Sequence, residues 1–112
     1  ITGYGPSGFR ISGTTYGGAV LVRPHVTLAV PVTDLAQLAP AHLACLVEGE
    51  ERTEILLIGC GARMRPVPPA LARSLALAGI AADPMDSGAA ARTYNVLMLE
   101  NRRVAALLLP LT

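Results

Sequence analysis

The chain has 112 residues, of which 52% are apolar and 15% charged, and its formal net charge is +1. This length predicts one hydrophobic core and a single domain over residues 1–112, and the composition excludes an intrinsically disordered chain. All nine basic residues are arginine, and they are scattered along the sequence. Because phosphate-backbone binding requires a concentrated basic surface, we expect no nucleic acid partner.

No segment of the sequence is typical of a membrane span, an export signal or a metal site. The longest apolar run, 104–109, is far shorter than the roughly 18 residues of a transmembrane helix. The first eight residues lack the charged and apolar regions of a signal peptide, so we expect a cytoplasmic protein. The two cysteines and two histidines fit no metal-ligand or haem spacing, and we therefore expect no metal and no cofactor.

The first part of the chain predicts three strands. Phe9–Ile11 and Ala19–Val22 flank a Gly-rich connection, which indicates a hairpin between them. Val26–Pro31 is a third strand, and its proline fits the end of a ladder.

Helical and extended segments then alternate. Thr33 or Asp34 can cap a short helical turn, and Pro40 suits the first position of a short helix that runs to Val47. Charged residues 48–52 predict a loop. The segment Glu54–Ile58, which is apolar from Ile55 onward, predicts a strand buried on both faces, and we expect it to be the central strand.

The last part of the chain predicts two helices and two strands. A helix over Ala70–Ala78 is closed by Gly79, and a short strand follows at Ile80–Ala82. Asp86 or Ser87 caps a helix that continues to about Asn101, and the final strand covers Arg103–Pro110. The predicted order is β-β-β-α-β-α-β-α-β, which indicates an α/β fold with a mixed, partly parallel sheet.

The loop after the buried strand is the first candidate site. Gly59, Cys60 and Gly61 leave the strand where open α/β sheets commonly bind ligands, although the third glycine of a dinucleotide fingerprint is missing. Arg63 and Arg65, together with Arg92, could hold a carboxylate or a phosphate. The alternatives are a tight glycine turn, solvated arginines and a small buried Cys60 thiol without nucleophilic function.

The final helix carries the second candidate site. Helical spacing places apolar side chains on one face, while the opposite face mixes apolar and polar side chains. This mixture predicts either a helix covered on both sides or a contact surface for a partner protein. A cap with ordinary side-chain pairing between Thr93, Glu100 and the following arginines is the simpler alternative. The mixed face comprises Arg92, Asn95, Val96 and Leu99.

The same helix also carries a family resemblance. The residues that carry it are Met85, Asp86, Ala90, Thr93, Tyr94, Asn95, Leu97, Glu100, Arg102 or Arg103, and Val104, with Phe9, Ile11, Gly13, Tyr16, Gly17, Gly18 and 56–61 upstream. With these residues the chain resembles the family of mitochondrial complex I assembly factor three and its bacterial and archaeal relatives. Cys60 stands where this family usually has threonine, and no tryptophan occurs near residues 29–32.

The resemblance implies a three-layer α/β domain with no established catalytic activity among bacterial members. The mitochondrial relative acts by binding partner proteins during assembly of the respiratory NADH dehydrogenase. Our first hypothesis is therefore a non-enzymatic, cytoplasmic protein-interaction module that assists assembly of a membrane complex, with self-association as a further possibility. The alternative is a small anionic-ligand-binding protein or enzyme using the Gly59–Arg65 loop, although no acid-base pair is evident.

Overall fold

The strands of the protein form two sheets. A computed structural model of the chain describes residues 1, 3–5, 8–47 and 52–111. A small antiparallel sheet contains three short strands in chain order, β1 (Gly3–Gly5), β2 (Gly8–Ile11) and β3 (Thr14–Tyr16). A larger sheet contains β4 (Ala19–Val22), β5 (Thr27–Val30), β6 (Ile55–Gly59), β7 (Ala81–Met85) and β8 (Val104–Leu108).

The larger sheet is mixed, as predicted. Its spatial order is β5-β4-β8-β6-β7. Strand β6 runs parallel to both β7 and β8, whereas β4 is antiparallel to β5 and β8. The strand predicted to be central, β6, is internal, but β8 occupies the middle position and is buried at all five residues.

The predicted hairpin has a different second strand. Phe9–Ile11 pairs with Thr14–Tyr16 and not with Ala19–Val22. The connection is a two-residue turn in which Ser12 and Gly13 have φ of 50° and 84°, the left-handed conformations of a type I′ turn. Ala19–Val22 is buried at every position, because it lies inside the larger sheet with both faces covered. The strand Gly3–Gly5 was not predicted.

The helical segments agree with the prediction except in the middle of the chain. Two α-helices, α1 (Pro69–Leu77) and α2 (Ser87–Leu99), lie close to their predicted bounds. The predicted α-helix at Pro40–Val47 is a 3-10 helix, preceded by a 3-10 turn at Leu35–Gln37 that Asp34 caps.

Packing explains why the segment Pro40–Val47 is a 3-10 helix and not an α-helix. Leu43 and Leu46 are both buried, and residues three apart lie directly above each other in a 3-10 helix. Before β6, the observed element order has five strands and two 3-10 segments, whereas the predicted order has three strands and one helix. Of the predicted charged loop 48–52, residues 48–51 lie outside the described residues.

The fold has three layers around the larger sheet. On one face, Ala105 and Leu107 of β8 belong to a hydrophobic cluster that includes α1 and both 3-10 segments. On the other face, Ala106 and Leu108 join a cluster with α2 and the small sheet. Both faces of the sheet are thus covered, and helix α2 is held between the sheet and solvent.

Candidate functional site

Helix α2 is positioned by its first turn and by its buried face. The Asp86 carboxylate accepts a hydrogen bond from the Ala89 N–H at 2.8 Å, which satisfies one of the free donors at the start of the helix. Ala90 and Tyr94 are fully or almost fully buried against the sheet. Burial disfavours the phenolate and raises the pKa of Tyr94 from 10.0 to about 12. Tyr94 is therefore a neutral core residue at physiological pH.

The outward side of α2 carries two exposed apolar side chains. Val96 is 56% exposed and Leu99 is 77% exposed. They are three residues apart and therefore lie on neighbouring turns of one helix face. We call these two residues the α2 patch.

The other two residues of the predicted mixed face contact the beginning of the chain. The Asn95 side chain accepts a hydrogen bond from the Ile1 nitrogen at 3.0 Å, and its amide group donates one to the Ile1 carbonyl at 2.8 Å. The Arg92 guanidinium donates to the Tyr4 hydroxyl and lies 5.9 Å from the Tyr4 ring centroid. Arg92 and Asn95 therefore hold Tyr4 and Ile1 on α2. The α2 patch is the part of the mixed face that stays exposed to solvent.

A glycine allows this contact. A Cβ atom on Gly88 would lie 3.0 Å from the Tyr4 ring, which is closer than side chains normally approach. Gly88 and Arg92 are one helical turn apart, so the ring of Tyr4 rests on the row that they form along α2.

The glycines after β6 serve the packing of the fold. A Cβ on Gly59 would lie 2.9 Å from both the Cα and the Oγ of Ser87, so α2 begins directly against this strand. Gly61 has a φ of 93°, a conformation that other residues rarely adopt. Its N–H donates to the Ser87 hydroxyl at 2.9 Å. Gly59 and Gly61 thus permit a close crossing between the end of β6 and the start of α2.

The structure brings together four of the six residues of the predicted ligand site. Cys60, Gly61, Arg63 and Arg65 line one pocket of about 270 Å³. Gly59 does not line it, and Arg92 lies with Tyr4 on α2. The remaining lining residues are Thr33, Asp34, Leu35, Ala62, Leu109, Pro110 and Leu111.

Cys60 and His42 each have a partner in the backbone of the chain. Cys60 is 7% exposed and its thiol lies 3.4 Å from the Ile58 carbonyl, while His42 accepts a hydrogen bond from the Ala39 N–H at 3.0 Å. Among residues 1, 3–5, 8–47 and 52–111, no three His, Cys, Asp or Glu side chains come close enough to hold a metal ion. In the same part of the chain, no helix has the length and apolar composition needed to cross a bilayer.

A larger groove lies at the opposite end of α2, and the sequence reasoning did not find it. It has a volume of about 520 Å³ and separates the β4–β5 connection from the connection between α2 and β8. We call it the basic groove, because three arginines line it. The pair Arg102-Arg103 directly after a helix was a signal for this groove in the sequence. The residues that face this pair across the groove, 23–26, are nearly 80 residues away in sequence. The lining residues are Arg23, Pro24, His25, Val26, Thr53, Met98, Asn101, Arg102, Arg103 and Val104.

Comparison with protein families and curated proteins gives concordant matches. The model of a family described as a protein of unknown function (DUF498/DUF598) matches residues 1–109. An uncharacterised protein of Rhodobacter capsulatus is 40% identical over 99% of this chain and 84% of its own length. NADH dehydrogenase (ubiquinone) 1 alpha subcomplex assembly factor 3 of Danio rerio is 33% identical over 98% of this chain. The chain spans 63% of that relative's length.

Solved structures confirm the architecture. An outer membrane protein from Bartonella henselae superposes with a TM-score of 0.87 at 34% identity, covering 98% of this chain and 92% of that one. A Bordetella pertussis protein described as a Mth938-like domain gives a TM-score of 0.86 at 29% identity, covering 99% of this chain and 85% of that one. The mixed α/β fold is therefore common to these proteins.

Proposed function

This chain belongs to the family of proteins of unknown function DUF498/DUF598, and we propose that it is a non-enzymatic protein-binding module that assists assembly of a respiratory membrane complex. Its relatives include proteins named as assembly factors of the NADH dehydrogenase. The chain spans about three fifths of the vertebrate factors that it matches, so the proposal concerns the part that they share. We place this module in the cytoplasm.

The α2 patch is the observation that supports a protein partner. Val96 and Leu99 are the exposed apolar side chains of a helix whose other apolar residues are buried or partly buried. The centres of protein interfaces are apolar and surrounded by polar groups, and Arg92 and Glu100 provide polar neighbours on the exposed side of α2. The patch therefore suits the helix face of a partner or an apolar cleft in it.

The introduction of negative charge into the α2 patch tests this proposal. We would purify the tagged protein from its native cells and measure by mass spectrometry whether NADH dehydrogenase subunits are captured with it. The variant V96E/L99E should lose these subunits, because burying two carboxylates in an apolar contact is unfavourable. The matched control is Leu77→Glu on α1, where the native side chain is 84% exposed and lies outside the patch.

Two results would contradict the proposal. Capture of the same subunits by wild type and by V96E/L99E would exclude the α2 patch as the contact. Absence of respiratory subunits with every variant would exclude the proposed role. Circular dichroism and thermal unfolding of each variant would verify that its fold is retained.

A small anionic-ligand-binding protein or enzyme is the second candidate. The supporting observation is that Arg63 and Arg65 line the same pocket as Gly61, so both guanidinium groups could reach one anion. If this pocket binds an anion, R63Q/R65Q should abolish the thermal stabilisation that the anion gives. Stabilisation at a hundred times the dissociation constant would be about 2.7 kcal/mol.

A further inference from the structure

The basic groove combines charged groups from two distant parts of the chain. Arg23 and His25 lie on the connection from β4 to β5, and Arg102 and Arg103 follow the end of α2. The strand pairing of β4 with β8 brings these connections together. Their convergence is therefore a consequence of the fold and not of sequence proximity.

The described lining of the groove is basic. Three of the nine arginines of the chain line it, and among the residues that the structure describes, none of its lining residues is aspartate or glutamate. Arg23 has a further interaction within the chain. Arg103 contacts Glu54 at 3.7 Å, and both side chains are more than half exposed, so this ion pair is weak. The Arg102 side chain has no hydrogen bond or ion pair with any residue that the structure describes. Within the described lining of this concave surface, Arg102 is therefore the arginine whose guanidinium has no such partner.

A local backbone conformation presents these arginines. Asn101 has a φ of 59°, the left-handed conformation that ends many helices. The Arg102 N–H then donates back to the Leu97 carbonyl at 3.1 Å, which fixes the chain direction after α2. The two arginines therefore follow an ordered turn.

The groove also has apolar walls of ligand size. Val26, Met98 and Val104 line it together with Pro24, and its volume of about 520 Å³ lies within the range of roughly 300–1,000 Å³ that is usual for small-molecule sites. Arginine forks match the paired oxygens of phosphates and carboxylates. The lining thus suits a molecule with an anionic group and an apolar body.

We propose that the basic groove binds a small organic anion, a phosphate or carboxylate attached to an apolar group, through Arg102 and its neighbouring arginines. This site is separate from the α2 patch and from the pocket of Arg63 and Arg65. Binding of an anion in the basic groove can therefore be confirmed or refuted independently of the proposed function.

Phenyl phosphate is a suitable probe, because it joins an oxyanion to an aromatic ring. We would titrate it into ¹⁵N-labelled protein and follow the backbone amides by NMR, with inorganic phosphate and phenol as its two halves. We expect phenyl phosphate to bind more tightly than either half, with shifts concentrated at 23–26 and 101–104. Substitution R102Q should weaken binding about tenfold, as expected for a charge-assisted hydrogen bond.

Arg73→Gln is the charge-matched control. Arg73 is exposed on α1 and does not line the groove, so this variant should bind phenyl phosphate as the wild type does. Equal loss of affinity in R73Q and R102Q would indicate a general charge effect and would overturn the proposal. Shifts confined to residues 60–65 and abolished by R63Q/R65Q would place the anion in the other pocket, which also overturns it.

A vesicle experiment separates a free anion from a lipid headgroup. We expect no difference in sedimentation with phosphatidylcholine vesicles with or without phosphatidylglycerol. Sedimentation that requires phosphatidylglycerol and Arg102, with no binding of phenyl phosphate, would identify a membrane surface and overturn the proposal of a soluble ligand.

Discussion

The hydroxyl of Ser87 accepts a hydrogen bond from the backbone N–H of Gly61 at 2.9 Å, which joins the first residue of α2 to the bend after β6. The same hydroxyl donates to the Leu109 carbonyl at 2.7 Å, and Ser87 is fully buried. One side chain therefore connects the ends of β6 and β8 with the start of α2.

Substitution of Ser87 by alanine should lower the free energy of unfolding by about 1–3 kcal/mol, because it leaves a buried donor and a buried acceptor without their partner. Urea unfolding measures the difference. Ser74→Ala, on the exposed side of α1, is the control and should change the stability by less than about 0.5 kcal/mol. Equal stabilities of the two variants would show that the Ser87 bonds contribute little.

Substitution of Gly59 by alanine should also destabilise the fold, by about 1–3 kcal/mol. The added Cβ would meet the Ser87 Cα and Oγ at 2.9 Å and the Leu108 side chain at 3.1 Å, so α2 would have to move away from the sheet. Gly17→Ala serves as the control, since its Cβ would meet nothing within 4 Å. A stable G59A protein would contradict the close crossing.

Substitution of Asn95 by alanine should release the beginning of the chain from α2. Both hydrogen bonds of the Asn95 side chain go to Ile1, so the loss should be local and not global. We expect faster amide hydrogen exchange at 3–5, with the exchange of β8 unchanged. Val96→Ala, at the next residue of α2, should leave these rates as in wild type, and unchanged exchange in N95A would refute the anchoring role.

The buried Tyr94 predicts a loss of stability at alkaline pH. Burial raises its pKa from the ordinary 10.0 to about 12 in the folded protein, so its contribution to stability is fully present below pH 10. Above that pH the unfolded chain loses the proton first, and the free energy of unfolding should fall by up to about 1.4 kcal/mol per pH unit until about pH 12. Urea unfolding between pH 9 and pH 12 measures this slope.

The variant Tyr94→Phe should flatten this part of the pH profile, because it removes the ionising hydroxyl and keeps the ring. Tyr16→Phe is the matched control and should retain the slope. A profile of Y94F that coincides with that of wild type would assign the alkaline loss to other groups.

The sequence predicted the second half of the fold better than the first. The caps at Asp86 and Gly79 and the apolar run at 55–58 are local signals, and the structure places the corresponding helices and strand within a few residues. The predicted pairing of Phe9–Ile11 with Ala19–Val22 was wrong. The true partner, Thr14–Tyr16, is short and mostly exposed, so its sequence has a weaker hydrophobic signal than Ala19–Val22. The uninterrupted apolar character of 19–22 is itself typical of an internal strand.

The candidate sites depend on contacts that no spacing rule contains. Arg92 and Asn95 have the helical positions of a partner surface, but Tyr4 and Ile1 of the same chain occupy them. Arg23 and Arg102 are close only because β4 pairs with β8. Long-range pairing thus decides which polar groups share a site, and the sequence alone provides only their types.

The Ser87 connection has a consequence for recognition by a partner. Because it joins α2 to the two internal parallel strands, the α2 patch lies on a helix that is already fixed to the sheet, and the proposed binding of a partner would not require this helix to form. Association would then forfeit little conformational entropy on this side, and even a small apolar contact could give a specific complex.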